Sequence, residues 1–155
     1  MKLARPNLAQ LLYLAQNMTS AEVAEHVALT GDDFDPEALA IRCHSYNGPA
    51  HVFVAGGKPY YVGGFTLTTP HTAAAWSIAT DECEKHVLEM TRIGRRIVHG
   101  VLDAGVHRIQ MTCLESRTMA RRWYEALGAV HEATLRGVGA GGENLVVYAI
   151  VKEQP

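Results

Sequence analysis

From Ala50 to Thr80 the chain reads AHVFVA, GGKP, YYVGGFTL, TTPHT and AAAWSIAT in succession. The three apolar runs are rich in β-branched, aromatic and small residues and are bounded by Gly, Pro and Thr, which marks them as strands. Links this short join antiparallel neighbours, because a parallel crossover needs a dozen residues or more. An antiparallel meander therefore sits in the middle of the chain, and every other element must pack on it or extend it.

The first third has helical signals. Leu8, Leu11, Leu12 and Ala15 recur at helical spacing, Thr19 with Glu22 three positions on has the form of a capping box, and Asp35 before Pro36 is a helix start. After the meander, Met90, Ile93, Ile97, Val98, Val101 and Leu102 make one apolar stripe of a long helix that Gly105 closes. A short apolar strand follows, from Arg108 to Cys113. A helix is expected from Ser116 to Leu127, stopped by Gly128, and two last strands flank GVGAGGE at Gly137 to Glu143. With no repeat or linker to divide it, a chain of 155 residues is expected to form one α/β domain. Residues 1–48 would be its helical part, and residues 50–151 a mixed sheet with two helices on its faces.

Charge and cysteine content remove several classes of function. A net charge of −2 without a basic stripe recommends neither nucleic acid nor an anionic membrane as partner. The three cysteines, Cys43, Cys83 and Cys113, are odd in number, well separated and free of CxxC spacing, which fits a reducing cytoplasm better than a disulfide framework. The eight histidines form no HxxxH or HExxH set, so no metal is expected, and Cys83 with His86 is the one close pair. GVGAGGE lacks the Lys-Ser/Thr of a phosphate-binding P-loop and reads as a hairpin loop.

The segment RTMARRWYEALGA, Arg117 to Ala129, resembles the motif helix of the GNAT superfamily of N-acetyltransferases. That helix commonly carries Asn, then Ala three, Tyr seven and Gly-Phe eleven and twelve residues later. Ala120, Tyr124 and Gly128 match, while Arg117 stands for the Asn and Ala129 for the Phe. Together with the order of elements, the resemblance covers roughly residues 50–151 and implies a GNAT-like twisted mixed sheet. It also implies transfer of an acetyl group from acetyl-CoA to the amine of a small molecule or protein. Tyr124 would be the acid that protonates the departing thiolate, a task open to a phenol that holds its proton at pH 7. A water relayed from Glu82 or Glu115 would serve as base. Coenzyme contacts would fall on Ile78, Thr80, His86, Arg117 and Ala120. A core aromatic packed beside Trp123 is the alternative reading of Tyr124.

One part of the resemblance fails. The superfamily holds the pyrophosphate on a Gln/Arg-x-x-Gly-x-Gly/Ala loop at the start of its central helix, but here the corresponding stretch is TDECEKH, with Asp81, Glu82 and Glu84 and no glycine. Asp81 and Glu84 have capping-box spacing and would fill the amides that a phosphate needs. RIGRR imitates the loop, yet Gly94 lies only eleven residues before Gly105. Gly94 is therefore expected to let the helix approach the sheet, with Arg92, Arg95 and Arg96 in solvent or catching an anion or an acidic partner. Trp76, Thr80 and Arg122-Trp123 also resemble small GNAT-like proteins of short-tailed phages. That likeness implies, as a second possibility, a non-catalytic virion or assembly protein binding another protein in the virion or host cytoplasm.

Overall fold

The computed structural model describes residues 2–153, which form one seven-stranded sheet and five α-helices. The elements are β1 (Lys2–Ala4), α1 (Leu8–Gln16), α2 (Ser20–Thr30), α3 (Pro36–His44), β2 (Ala50–Ala55), β3 (Lys58–Thr69) and β4 (Thr72–Ala79). After a 3-10 helix at Asp81–His86 come α4 (Val87–Asp103), β5 (Arg108–Leu114), α5 (Thr118–Ala126), β6 (Val130–Leu135) and β7 (Leu145–Val151). The sheet order is β1-β2-β3-β4-β5-β7-β6, antiparallel throughout except where β4 runs parallel to β5. This is the mixed α/β sheet that the sequence implies, with β1 as an added edge strand.

The helix starts follow from local chemistry. Asn7 and Gln10 cap α1 reciprocally, and Asp35 accepts from the amides of Glu37 and Ala38 at the start of α3, with Pro36 in the first turn. Thr19 Oγ1 caps α2 by accepting from the Glu22 amide at 3.1 Å. The Glu22 side chain does not complete that box; it leaves the helix for the sheet.

Helices cover both faces. On one, Leu11, Leu14 and Ala15 of α1 and Leu39, Ala40 and Cys43 of α3 pack on Val52, Val62 and Ile78. On the other, Val98 and Leu102 of α4, with Leu127 at the end of α5, pack on Ala73, Ile109, Met111 and Val146. The apolar stripe read for α4 is the face it buries, since Met90, Val98 and Leu102 are buried and Ile93, Ile97 and Val101 pack beside them. Gly94 faces α5 rather than the sheet, because a Cβ there would lie 2.9 Å from Leu127 Cδ2. Arg95 is not simply solvated: its Nε donates to the Ala126 carbonyl at 2.7 Å and so caps the end of α5.

The capping box expected at Asp81 and Glu84 does not form. Residues 81–86 wind as a 3-10 turn, α4 begins after His86, and neither start has a side-chain cap. The i+3 bonds of the tighter turn engage local amides without help from the carboxylates, as where the Cys83 amide donates to the Thr80 carbonyl.

Candidate functional site

The parallel pair of strands is short. β4 and β5 are in register from Thr72↔Arg108 to Ala74↔Gln110, after which they diverge although β4 continues to Ala79 and β5 to Leu114. In an antiparallel ladder alternate residues point their backbone groups at one neighbour. Thr80 donates to Tyr60 across β3, so Ala79 and Ser77 turn away from β3 and into the gap. Glu115 donates to Asn144 across β7, so Leu114 and Thr112 turn into the gap from the other side.

Three side chains take the backbone groups that the split exposes. The Glu22 carboxylate accepts from the Ala79 amide at 2.8 Å, while the Thr19 amide donates to the Ala79 carbonyl. The Glu25 carboxylate accepts from the Leu114 amide at 2.6 Å. Tyr124 donates its hydroxyl to the Thr112 carbonyl at 3.0 Å, the acceptor that the next ladder bond, from Ser77, would have used. The Ser77 amide is thereby left facing a cavity of about 930 Å³ that passes through the fork, reaching α2 and α3 on one face and α4 and α5 on the other.

Charge is concentrated at this point. Arg117 holds Glu25 at 2.8 Å and lies 3.7 Å from Glu22, so two carboxylates share one guanidinium. Burial pushes the Glu22 carboxyl up from 4.5 to about 7, against the opposing pull of the Ala79 amide and Arg117. Burial also drives the Tyr124 phenol well above its usual range, with Cys113 and Glu25 adding to it, so it keeps its proton at neutral pH. Its ring meets Tyr148 edge-on at 5.7 Å. Tyr124 is thus a packed aromatic, as its alternative reading has it, and its hydroxyl reaches the fork on the cavity wall.

The other residues singled out in the sequence are divided by the fold. Arg117 and Ala120 line the cavity, and Thr80 lies at its edge with its hydroxyl donating to Tyr60. Ile78 is buried against α1 and α3 and points its backbone at β3, so its neighbours Ser77 and Ala79 are the ones facing the gap. His86 stacks on Tyr60 at 4.6 Å, off the cavity wall. Glu82 is partly exposed and paired with Lys85 at 2.7 Å, and Glu115 accepts from Asn144 at the base of the last hairpin; neither lines the cavity. Glu22 and Glu25 were missed. The Thr19/Glu22 spacing was the available signal, but it marks a helix start as well as a buried carboxylate. Among the described residues no group of three or more His, Cys, Asp and Glu could hold a metal ion, and Cys83 Sγ instead donates to the Tyr60 carbonyl. No described helix is long and apolar enough to cross a membrane.

No family model and no curated protein matches the sequence. Solved structures do match in shape. The ribosomal-protein-alanine N-acetyltransferase from Brucella melitensis superposes with a TM-score of 0.77 at 13% identity, over 97% of this chain and 99% of that one. An acetyltransferase of the GNAT family from Bacillus anthracis gives 0.73 at 14% identity, over 98% and 95%. A Salmonella typhimurium protein described as an acetyltransferase, whose structure includes its cofactor acetyl-CoA, gives 0.74 at 13% identity, over 100% and 95%. None of these is a virion protein, and the resemblance to phage assembly proteins gains no support from them. At such identities the likeness speaks for architecture alone, and the forked mixed sheet of residues 2–153 is the fold of the GNAT acetyltransferases.

Proposed function

We propose that this chain transfers an acetyl group from acetyl-CoA to a primary amine inside the forked cavity. The observation that carries the reading is the pairing of a protonated phenol, Tyr124, with a carboxyl of near-neutral pKa, Glu22, on walls of the same cavity. A base poised near the working pH and an acid that keeps its proton are what amine acylation requires. Glu22 is the better base than Glu82 or Glu115, because it alone of the three lines the cavity.

The fit to acetyl-CoA differs along its length. The free Ser77 amide on the open side of β4 suits an extended, amide-bearing arm laid down like an added strand. The phosphate end fits poorly, since Asp81, Glu82 and Glu84 place negative charge where a pyrophosphate would approach the start of α4. Acetyl-CoA supplies a thioester-activated acetyl group when bound. An acceptor ammonium sheds two protons over the whole reaction: Glu22 takes one and passes it to solvent, and the other replaces the proton that Tyr124 gives to the departing sulfur.

The acidic turn favours a second reading, in which the same fold docks another protein and no coenzyme enters. Titrating isotope-labelled protein with acetyl-CoA separates the two. The transfer reading requires shifts of the Ser77, Ala79 and Thr112 amides; spectra unchanged at millimolar coenzyme support docking.

A further inference from the structure

On the α2 and α3 side of the fork the cavity extends into a space that the proton transfers leave unused. Glu22, Glu25, His26 and Leu29 of α2 occupy positions i, i+3, i+4 and i+7 and all line it, so one helical face runs from acidic to apolar. Trp76 forms the floor. It lies across Gly64, where a Cβ would come within 2.5 Å of the indole, and leans on Tyr46 at 5.3 Å. Leu39 and Arg42 close the space from α3.

Its two ends carry opposite charge. At the inner end Glu22 and Glu25 share Arg117, which leaves one negative charge uncompensated whenever Glu22 is ionised. At the outer end the Arg42 guanidinium is on the cavity wall with neither a carboxylate nor any other hydrogen-bond partner among the described residues. Burial holds the His26 imidazole below its ordinary pKa, Arg42 adds to this, and the Asp32 carboxylate pulls the other way. Glu22 and His26 are one turn apart, about 6 Å along the α2 axis, and Arg42 lines the same cavity from α3. A ligand reaching from the Glu22 end toward Arg42 therefore spans about one helical turn or more.

We propose that the acceptor is a free amino acid with an apolar side chain, bound with its ammonium toward Glu22, its carboxylate on Arg42 and its side chain between Leu29, Leu39 and Trp76. The acceptor role rests on the transfer reading, whereas the binding geometry does not. A plain alkylamine would leave Arg42 unanswered, and a carboxylic acid would leave Glu22 unanswered. A zwitterion answers both, and guanidinium is well shaped for a carboxylate.

Ligand-observed NMR without coenzyme tests the binding, comparing leucine with isoamylamine, which lacks the carboxylate, and isocaproate, which lacks the amine. Leucine should bind about tenfold or more tightly than either. Arg42→Gln should abolish the preference over isoamylamine while leaving isoamylamine binding unchanged, and Arg42 is exposed and unpaired, so the variant folds. Glu22→Gln should abolish the preference over isocaproate. Isoamylamine binding as tightly as leucine, or an Arg42→Gln variant that still prefers leucine, overturns the proposal. Acetylation of isoamylamine but not of leucine would sustain the transfer reading and overturn this one. Leucine binding with no acetyl transfer to any amine would do the reverse.

Discussion

The Tyr124 hydroxyl donates to the Thr112 carbonyl at 3.0 Å, at the first position where β4 and β5 have come apart. A side chain stands in for a strand, and the phenol is fixed at the fork with its proton directed at a backbone oxygen. To act as an acid it must exchange that acceptor for a sulfur. The exchange costs little if the two acceptors are similar in strength, since a neutral hydrogen bond contributes only about 0.5–1.5 kcal/mol.

Tyr124→Phe isolates the hydroxyl. Acetyl transfer should fall by about 10²–10⁴, while stability in urea changes by no more than about 1 kcal/mol, because the ring keeps its contact with Tyr148. Unchanged turnover would confine Tyr124 to packing.

Glu22 makes stability depend on pH. Its folded pKa, about 7, is raised above the ordinary 4.5, so the stability tied to its neutral form is complete below about pH 4.5 and is lost as pH rises through about 7. The loss is at most about 3 kcal/mol, from 1.36 kcal/mol per pKa unit. Chemical denaturation should show this loss between about pH 4.5 and 7, with stability level above that, and Glu22→Gln should remove it. Turnover has the opposite slope: kcat/KM should rise through about pH 7 as the base ionises, and the rise should vanish in Glu22→Gln.

Glu25 tests the closure of the fork. Glu25→Ala leaves Arg117 without its nearest carboxylate and the Leu114 amide without its acceptor. A buried donor left unsatisfied costs about 1–3 kcal/mol, and Arg117 freed from Glu25 should turn to Glu22 and lower its pKa. Equilibrium unfolding and the pH profile of stability measure these two effects separately.

Much of the fold was legible because its causes are local. The meander, the Asp35-Pro36 start, the α4 stripe and the glycine-rich hairpin each follow from a few adjacent residues. The site was legible only in part. Motif spacing picks out Tyr124, Arg117 and Ala120, which line the cavity, but the engagement of Glu22 with Ala79 spans 57 positions and that of Glu25 with Leu114 spans 89. No local pattern encodes such contacts. Ile78 does not line the cavity while its neighbours Ser77 and Ala79 do, because strand alternation sets which neighbours share a face but not which strand receives their hydrogen bonds. The Asp81/Glu84 box failed because the chain winds a 3-10 turn before α4, and side-chain spacing does not reveal that.

The acidic turn should weaken coenzyme binding electrostatically. Its charges lie at the surface, so the repulsion is screened within about 10 Å at 0.1 M salt. Calorimetric titration of coenzyme A should show tighter binding as salt is raised, and a parent-like gain should appear at low salt in Asp81→Asn with Glu84→Gln. Binding that weakens with salt would mean that cations such as Arg122 dominate the phosphate end.

The most direct test of the central claim is mass-spectrometric detection of both products, free coenzyme A and the N-acetylated acceptor, after incubating the protein with acetyl-CoA and a panel of amines and amino acids. The account predicts the two products in equal amounts with at least one acceptor, and their joint loss in Tyr124→Phe and in Glu22→Gln. Acetyl-CoA left intact with every acceptor at millimolar concentration, or products formed equally well by both variants, would contradict it.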